Sequence, residues 1–354
     1  SLNNIGSTYR SWGKYDKAIE HYQAALAFEK KLGREDKLST LLSKIAFMYQ
    51  LVGEYDKALD HFERALAIEQ KLGRKAKVTN RLNNIGLIYD SLGQYDKALD
   101  YLERALDIKQ KLGDKTGTSL NNIVNNIGTV YMNKGQYDKA LDYFERVLAI
   151  RQKAEKKANF ATTLNNIATV YQKKGEYEKA LKLHQEALVI DRKSGKERKI
   201  ATTLNNIGFM FHLQGTYDKA IEYYQQALSI DRKLGVPDIA TDFNNIGLVY
   251  EDWGKYEKAL EYLLQSLEIN RKFERAADVA LNLNNIGLIY FRWGKYDQAI
   301  NHLKMSLERN KELGRNDQIP INLNNIGMVY QSWGQAKKAI DYFQQSLNLQ
   351  IKLG

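Results

Sequence analysis

Asparagines recur in pairs along this chain, at Asn3 and Asn4, Asn83 and Asn84, Asn125 and Asn126, Asn165 and Asn166, Asn205 and Asn206, Asn244 and Asn245, Asn284 and Asn285, and Asn324 and Asn325. A carboxamide both donates and accepts hydrogen bonds, so a row of them can satisfy the backbone N–H and C=O groups of an extended peptide whatever its side chains. Asparagine is also a mediocre helix former, costing about a few tenths of a kcal/mol per site against alanine. Sixteen such residues therefore imply a use. That use is either a ligand or a structural link, in which one amide of each pair bonds to the first helix of the next repeat and fixes the twist of the array.

Other chemistry is scarce. The chain has no cysteine, which excludes disulfides, thiolate metal sites and thiol nucleophiles and fits a reducing, cytoplasmic setting. Three of the five histidines, His21, His61 and His302, occupy one slot in different repeats and so cannot gather on a metal; His184 takes a core slot and His212 faces outward alone. Nearly all of the 24 glycines fall at recurring turn and helix positions, leaving no phosphate-cradling loop. Asp and Glu recur as turn and surface residues, not as a converging pair. The expectation is a non-enzyme without metal or cofactor.

The amide pairs are positioned by one unit written nine times. Aligned on the phrase LNNIG, the units begin at Leu2, Leu42, Leu82, Val124, Leu164, Leu204, Phe243, Leu283 and Leu323, at steps of 39 to 42 residues. The second unit replaces the pair with Ser43 and Lys44, and the longest step carries a doubled NNI, at Asn121–Ile123 and Asn125–Ile127. In the third unit Leu82, Ile85, Gly86 and Tyr89 form one helical stripe, ended by Gly93, and a second stripe runs from Tyr95 through Ala98, Leu102 and Ala105 to Ile108. Each unit is thus a hairpin of a helix A and a helix B, too small to bury its apolar face alone, so neighbours must stack. The ninth unit has Ala336 and Lys337 where a Tyr and an acidic residue usually stand, which suggests a polar end cap or a decaying repeat.

Ile85, Gly86, Tyr89, Gly93, Tyr95, Ala98, Leu102 and Ala105 match, in order, the L, G, Y, G, Y, A, F/Y, A pattern of the tetratricopeptide (TPR) family, and the resemblance covers the entire chain. The unit is near 40 residues rather than the usual 34 and lacks the proline that often closes helix B; in both respects it is similar to the long repeats of kinesin light chains, Pins-type polarity adaptors and bacterial signalling proteins. The resemblance implies an all-α, right-handed superhelical solenoid over residues 1–354, its concave wall lined by A helices that grip extended peptides or partner helices. An N-terminus that reads SLNNIGSTYR, without an initiator Met or a secretory signal, suggests a cut inside a longer chain.

If Leu82, Ile85, Gly86 and Tyr89 pack inward, Asn80, Asn83, Asn84, Leu87, Asp90 and Ser91 point toward that groove. On the same face the later repeats present Phe209, Leu213, Leu248, Leu288, Phe291 and Met328, with Leu281 and Ile321 upstream, where repeats four and five carry polar residues such as Thr129 and Gln172. The C-terminal half is therefore the candidate for an apolar anchor pocket, with Glu251, Asp252 and Arg292 as a charged patch beside it; filling gaps between A helices is the alternative. Trp12, Trp253, Trp293 and Trp333 stand just before the turn glycine, either packed over the turn or forming an aromatic rim.

The formal charge of +11 gathers near the ends of B helices, as in Arg151–Lys157 and Asp191–Lys199, where cations complement the helix terminus or attract an acidic partner. Nucleic acid is disfavoured because aromatics do not interleave with Arg on the groove face, and no apolar run reaches the roughly 20 residues that span a membrane. The expected function is a protein-binding scaffold for a peptide or helix, acidic or with apolar anchors. The alternative is a regulatory segment of a larger signalling enzyme, whose other domains would be its partners.

Overall fold

The computed structural model describes residues 1–113, 118–153, 160–236 and 238–353, and every regular element among them is helical. Among the described residues eighteen helices follow one another as A and B members of successive repeats. The first nine are α1 (Leu2–Ser11), α2 (Tyr15–Lys31), α3 (Glu35–Leu51), α4 (Tyr55–Lys71), α5 (Lys75–Ser91), α6 (Tyr95–Lys111), α7 (Thr118–Asn133), α8 (Tyr137–Lys153) and α9 (Phe160–Lys173). The others are α10 (Tyr177–Ser194), α11 (Glu197–Leu213), α12 (Tyr217–Leu234), α13 (Ile239–Asp252), α14 (Tyr256–Lys272), α15 (Ala276–Arg292), α16 (Tyr296–Glu312), α17 (Ile319–Ser332) and α18 (Ala336–Leu353). They form two compact units, residues 1–175 with α1 to α9 and residues 176–354 with α10 to α18. Within each unit an A helix packs on the B helix of its own hairpin, and that B helix packs on the next A helix.

The A-to-B turn is set by a left-handed glycine. In the third repeat Gly93 has φ +70°, the Gln94 N–H reaches the Tyr89 carbonyl at 2.9 Å, and helix B starts at Tyr95. Those bonds satisfy carbonyls that the end of helix A would otherwise leave open. The B-to-A turn uses glycine in the same way at Gly33, Gly73, Gly195, Gly235 and Gly314, but the seventh repeat places Glu274 there at φ +54°.

Helices A and B approach most closely at the glycine of LNNIG. A Cβ at Gly287 would lie 2.7 Å from Leu303 Cγ and 3.2 Å from the Ala299 carbonyl, and one at Gly86 would lie 2.8 Å from Leu102 Cγ. Separate apolar clusters surround these contacts: Phe62, Leu82, Ile85, Leu102 and Ile127 in the first unit, and Leu204, Ile207, Tyr224, Ile246, Leu263 and Ile286 in the second, where Ala299, Leu303 and Ile326 belong to a further cluster. The doubled NNI resolves in favour of Val124 as the register. Val124 is buried, Asn125 and Asn126 take the ladder positions, and Asn121 is buried one turn earlier.

Two expectations change. The last helix is no polar cap, since Ile340, Leu347 and Ile351 are 61%, 53% and 72% exposed. Arg151 is not part of a solvated basic rim: it is buried, donates to the Thr163 hydroxyl, and burial lowers its pKa. Most of the Arg151–Lys157 run lies outside the described residues.

Two substitutions test this backbone account. Glu274→Gly relieves a left-handed non-glycine residue and is expected to raise unfolding stability by about 0.5–1 kcal/mol, read as a higher denaturant midpoint; an unchanged or lower midpoint contradicts it. Gly287→Val inserts a branched side chain into the Leu303 contact and should cost about 1–3 kcal/mol. Alanine at the equivalent slot, as at Ala46 and Ala168, should cost less.

Candidate functional site

All the sequence-identified site residues lie on A helices. Asn83 and Asn84 are on α5, Asn125 and Asn126 on α7, and Asn165 and Asn166 on α9. The second unit carries Asn205, Asn206, Phe209 and Leu213 on α11; Asn244, Asn245, Leu248 and Glu251 on α13; Asn284, Asn285, Leu288, Phe291 and Arg292 on α15; and Asn324, Asn325 and Met328 on α17. The paired amides are half-buried, apart from exposed Asn4 and Asn324, because they sit between the core stripe and the outer surface of helix A.

The pairs bond to one another across repeats. Asn126 Nδ2 donates to Asn83 Oδ1 and Asn166 Nδ2 to Asn125 Oδ1, both at 2.8 Å. In the second unit Asn285 donates to Asn244 at 3.1 Å and Asn325 to Asn284 at 3.0 Å. Where the second repeat lacks the pair, Lys44 Nζ takes the donor role toward Asn3 Oδ1 at 2.7 Å. The second amide of one repeat thus holds the first amide of the repeat before it, each bond contributing about 0.5–1.5 kcal/mol. A carboxamide has two N–H donors and two acceptor lone pairs, so one inter-repeat bond leaves most of each pair's capacity for other partners.

Behind the ladder lies a polar column that sequence reasoning missed. The residue just before LNNIG points into the junction and meets a residue near the end of the preceding B helix. Thr203 donates to Asp191 at 2.9 Å, Asn270 to Asn282 at 2.7 Å and Asn310 to Asn322 at 2.7 Å. Asn282 also donates to Ser266 Oγ at 3.1 Å and toward Asn244 Oδ1 at 3.4 Å, and Asn322 does the same with Ser306 at 3.0 Å and Asn284 at 3.2 Å. Hydrogen bonds therefore run from helix B through the junction to the A-helix face. The available signal was a polar residue, Arg81, Thr163, Thr203, Asp242, Asn282 or Asn322, four positions before a buried isoleucine.

The charged patch is an inter-repeat network. Arg292 Nε lies 3.1 Å from Glu251 Oε1 and its Nη1 3.1 Å from Asp252 Oδ1, while His212 Nε2 lies 2.9 Å from Asp252 Oδ2. His212 is therefore partnered and not alone on the face. Glu251 is only 7% exposed, and burial pushes its pKa up to about 7, with Arg292 pulling it down and Asp252 pushing it up. His184 is buried in the core, and desolvation lowers its pKa to about 4.

The apolar residues of the face divide. Phe209, Leu213, Leu281, Ile321 and Met328 are 37%, 43%, 50%, 48% and 38% exposed, whereas Leu248, Leu288 and Phe291 are half-buried, with Phe291 against Tyr296. Three of the four tryptophans pack over the turn, while Trp12 is 66% exposed and meets Tyr9 edge-on. Trp253, Trp293 and Trp333 stack on Tyr250, Tyr290 and Tyr330 and also touch the first tyrosine of the preceding B helix, Tyr217, Tyr256 and Tyr296. Lys255 and Lys295 cap two of the indoles at 3.1 and 3.2 Å from the ring centre. Among the described residues no cluster of His, Cys, Asp and Glu has the makings of a metal site, and no helix is long and apolar enough to cross a membrane.

The sequence model of the tetratricopeptide repeat matches residues 37–111, 119–195, 199–272 and 278–352, and a second model of that repeat matches residues 1–31. No curated protein sequence matches the chain. Among solved structures, the apo form of the quorum sensor NprR from B. thuringiensis aligns over 97% of this chain and 99% of its own, at 18% identity and a TM-score of 0.64. A Rap protein complexed with competence and sporulation factor aligns over 100% and 99%, at 17% identity and a TM-score of 0.58. The STAND signal transduction ATPase PH0952 from Pyrococcus horikoshii, which has a tetratricopeptide repeat sensor, aligns over 97% of this chain but 53% of its own, at 16% identity and a TM-score of 0.62. At these identities the likeness is one of fold.

The buried carboxylate of Glu251 makes a pH prediction. Its folded pKa lies near 7 against an ordinary 4.5, so the stability conferred by the protonated form is present below about pH 4.5 and is lost as pH rises through about 7. Glu251→Gln removes that titration. Between pH 5 and pH 8 the melting temperature of the wild type is expected to fall relative to the variant, by the equivalent of about 1–3 kcal/mol. Parallel melting profiles for the two proteins would contradict it.

Proposed function

Because the chain belongs to the tetratricopeptide repeat family, we propose that it is an interaction scaffold, and that the A-helix face of its second unit receives an extended peptide or a helix of a protein partner. The observation that carries this reading is the composition of that face. Amides with unused donors and acceptors stand beside exposed Phe209, Leu213 and Met328, so backbone recognition and apolar anchoring lie side by side. Asn245, for example, makes no side-chain hydrogen bond among the described residues. The NprR and Rap structures lend support as folds described in connection with quorum sensing and a bound factor.

A second reading makes the chain a regulatory segment that controls a catalytic domain on the same polypeptide. Its support is the likeness to the sensor-bearing ATPase, of which this chain matches about half. A nucleotide-hydrolysing or kinase domain encoded beside the repeats would favour it, and the two readings share the same binding face.

The test must separate the two faces of the array, since Val189, Leu264 and Met305 are also exposed, on B helices. A random peptide library with blocked ends, selected on this chain, is expected to yield binders. Phe209→Glu combined with Met328→Glu should weaken them about tenfold or more without lowering the melting temperature, and Leu264→Glu should leave them unchanged. Binders that respond to Leu264→Glu and ignore the A-helix pair would overturn the assignment.

A further inference from the structure

The apolar anchors of the second unit have a counterpart in the first. Among the nine repeats only two place phenylalanine five positions after the first residue of LNNIG and leucine nine positions after it: the sixth, with Phe209 and Leu213, and the second, with Phe47 and Leu51. The match extends along the helix, since α3 ends Ile45-Ala46-Phe47-Met48-Tyr49-Gln50-Leu51 and α11 ends Ile207-Gly208-Phe209-Met210-Phe211-His212-Leu213. Ile45 and Met48, like Ile207 and Met210, are fully buried, so they pin the helix and turn the phenylalanine and leucine outward. Phe47 and Leu51 are 42% and 44% exposed, against 37% and 43% for Phe209 and Leu213. Four residues apart on one helix, each pair forms a single apolar surface.

The A helices that follow repeat the likeness, each within its own unit. Helix α5 brings Leu87 and Asp90 to the slots that α13 fills with Leu248 and Glu251. Leu87 and Leu248 are both half-buried, and burial raises the pKa of both acids. Each acid is held from the next A helix: Asn133 Nδ2 of α7 lies 3.1 Å from both Asp90 oxygens, as Arg292 Nε of α15 lies 3.1 Å from Glu251. The same surface is therefore built twice, on α3, α5 and α7 and on α11, α13 and α15.

The two copies differ in charge. Three positions before Phe209 stands Asn206, but three before Phe47 stands Lys44. Its Nζ donates to Asn3 Oδ1 at 2.7 Å and toward Ser7 Oγ at 3.4 Å, and lies 5.2 Å from the centre of the Tyr22 ring. All three neighbours are neutral. Arg10, exposed on α1, adds a second cation, and among the described residues neither has a carboxylate partner. Burial and then Arg10 lower the Lys44 pKa, and an anion arriving from outside offsets both effects.

We propose that the first unit carries a second guest site, formed by Phe47, Leu51 and Leu87 beside Lys44 and Arg10, whose occupant is a peptide segment with an apolar anchor residue next to an acidic side chain. This assignment rests on the reading of the A-helix face as peptide-binding and extends it from the second unit to the first. The anchor covers Phe47 and Leu51, and the acid accepts the Lys44 N–H that Asn3 and Ser7 leave unused. A charge-assisted bond of this kind is stronger than a neutral one and selects an acidic guest over its amide. With a site in each unit the chain holds two segments at once, so that it joins partners as well as binding them.

Random peptides with blocked ends, selected on the wild type and on Phe209→Glu/Met328→Glu, in which the second-unit site is disabled, separate the two sites. The double variant is expected to keep selecting peptides, and these should place Asp or Glu beside an apolar residue. Phe47→Glu, or Leu51→Glu at the end of α3, should weaken them about tenfold or more. They should bind about tenfold better than their Asn or Gln counterparts, and Lys44→Asn with Arg10→Gln should remove that difference. Lys44→Asn restores the amide that the other repeats carry at this slot, so the fold is expected to hold, and melting curves check each variant. Peptides from the double variant that ignore both anchor substitutions, show no acid preference, or keep it without the two cations overturn the inference. If the double variant selects nothing while the wild type does, the inference falls and the second-unit reading stands. If wild-type binders respond to Phe47→Glu and ignore Phe209→Glu/Met328→Glu, the first-unit site stands and the second-unit reading falls. No binder to either protein ends both.

Discussion

In an array whose repeats touch only their neighbours, every polar group covered by stacking must find its partner across a single junction. That requirement organises most of what is specific to this chain. Apolar packing brings helices A and B together, with Gly86 and Gly287 allowing the close approach, but it would tolerate many relative placements of successive hairpins. The amides remove that freedom. Asn285 on Asn244 and Asn325 on Asn284 hold neighbouring A helices in register, and Asn270 on Asn282 ties the preceding helix B into the same network. A slipped junction would strand several buried donors and acceptors, at about 1–3 kcal/mol each.

The same constraint explains how one surface can be both structural and available. A carboxamide has more hydrogen-bonding groups than one neighbour can occupy, so the ladder fastens the repeats and still presents amides outward. Where amides close the junction, as at Asn244, Asn282 and Asn285, the face is amide-rich. Where an acid pair replaces the amides, at Asp231 and Asp242, the two buried carboxyl groups meet each other and Asn205 donates to Asp242.

Much of the fold was legible because its determinants repeat. Glycine, tyrosine and alanine at one interval fix the turns and the helix crossing whatever lies between, and the A-helix location of the amides follows from their phase relative to Leu82 and Ile85. What escaped depends on how one hairpin sits on the next. Whether Asn126 meets Asn83 is decided by the rise between repeats, which no single helix encodes. The residue before LNNIG escaped because it varies from Arg81 to Thr163 to Asp242 to Asn282, so a common burial is hidden under different chemistries. Charge misled at Arg151, where the side chain leaves solvent to reach Thr163, and isolation misled at His212, whose partner Asp252 stands one repeat away. Composition misled at the last helix, where lysines near its start conceal the exposed Ile340 and Ile351.

The location of a bound guest is the measurement on which this account turns most directly. A peptide binder carrying a photoactivatable residue at each position in turn, cross-linked to the intact chain and mapped by mass spectrometry, is predicted to label α11, α13, α15 and α17 on the surface that bears Phe209, Asn245 and Met328. Labels confined to the B helices, around Leu264 and Met305, would show that the amides serve only to join the repeats.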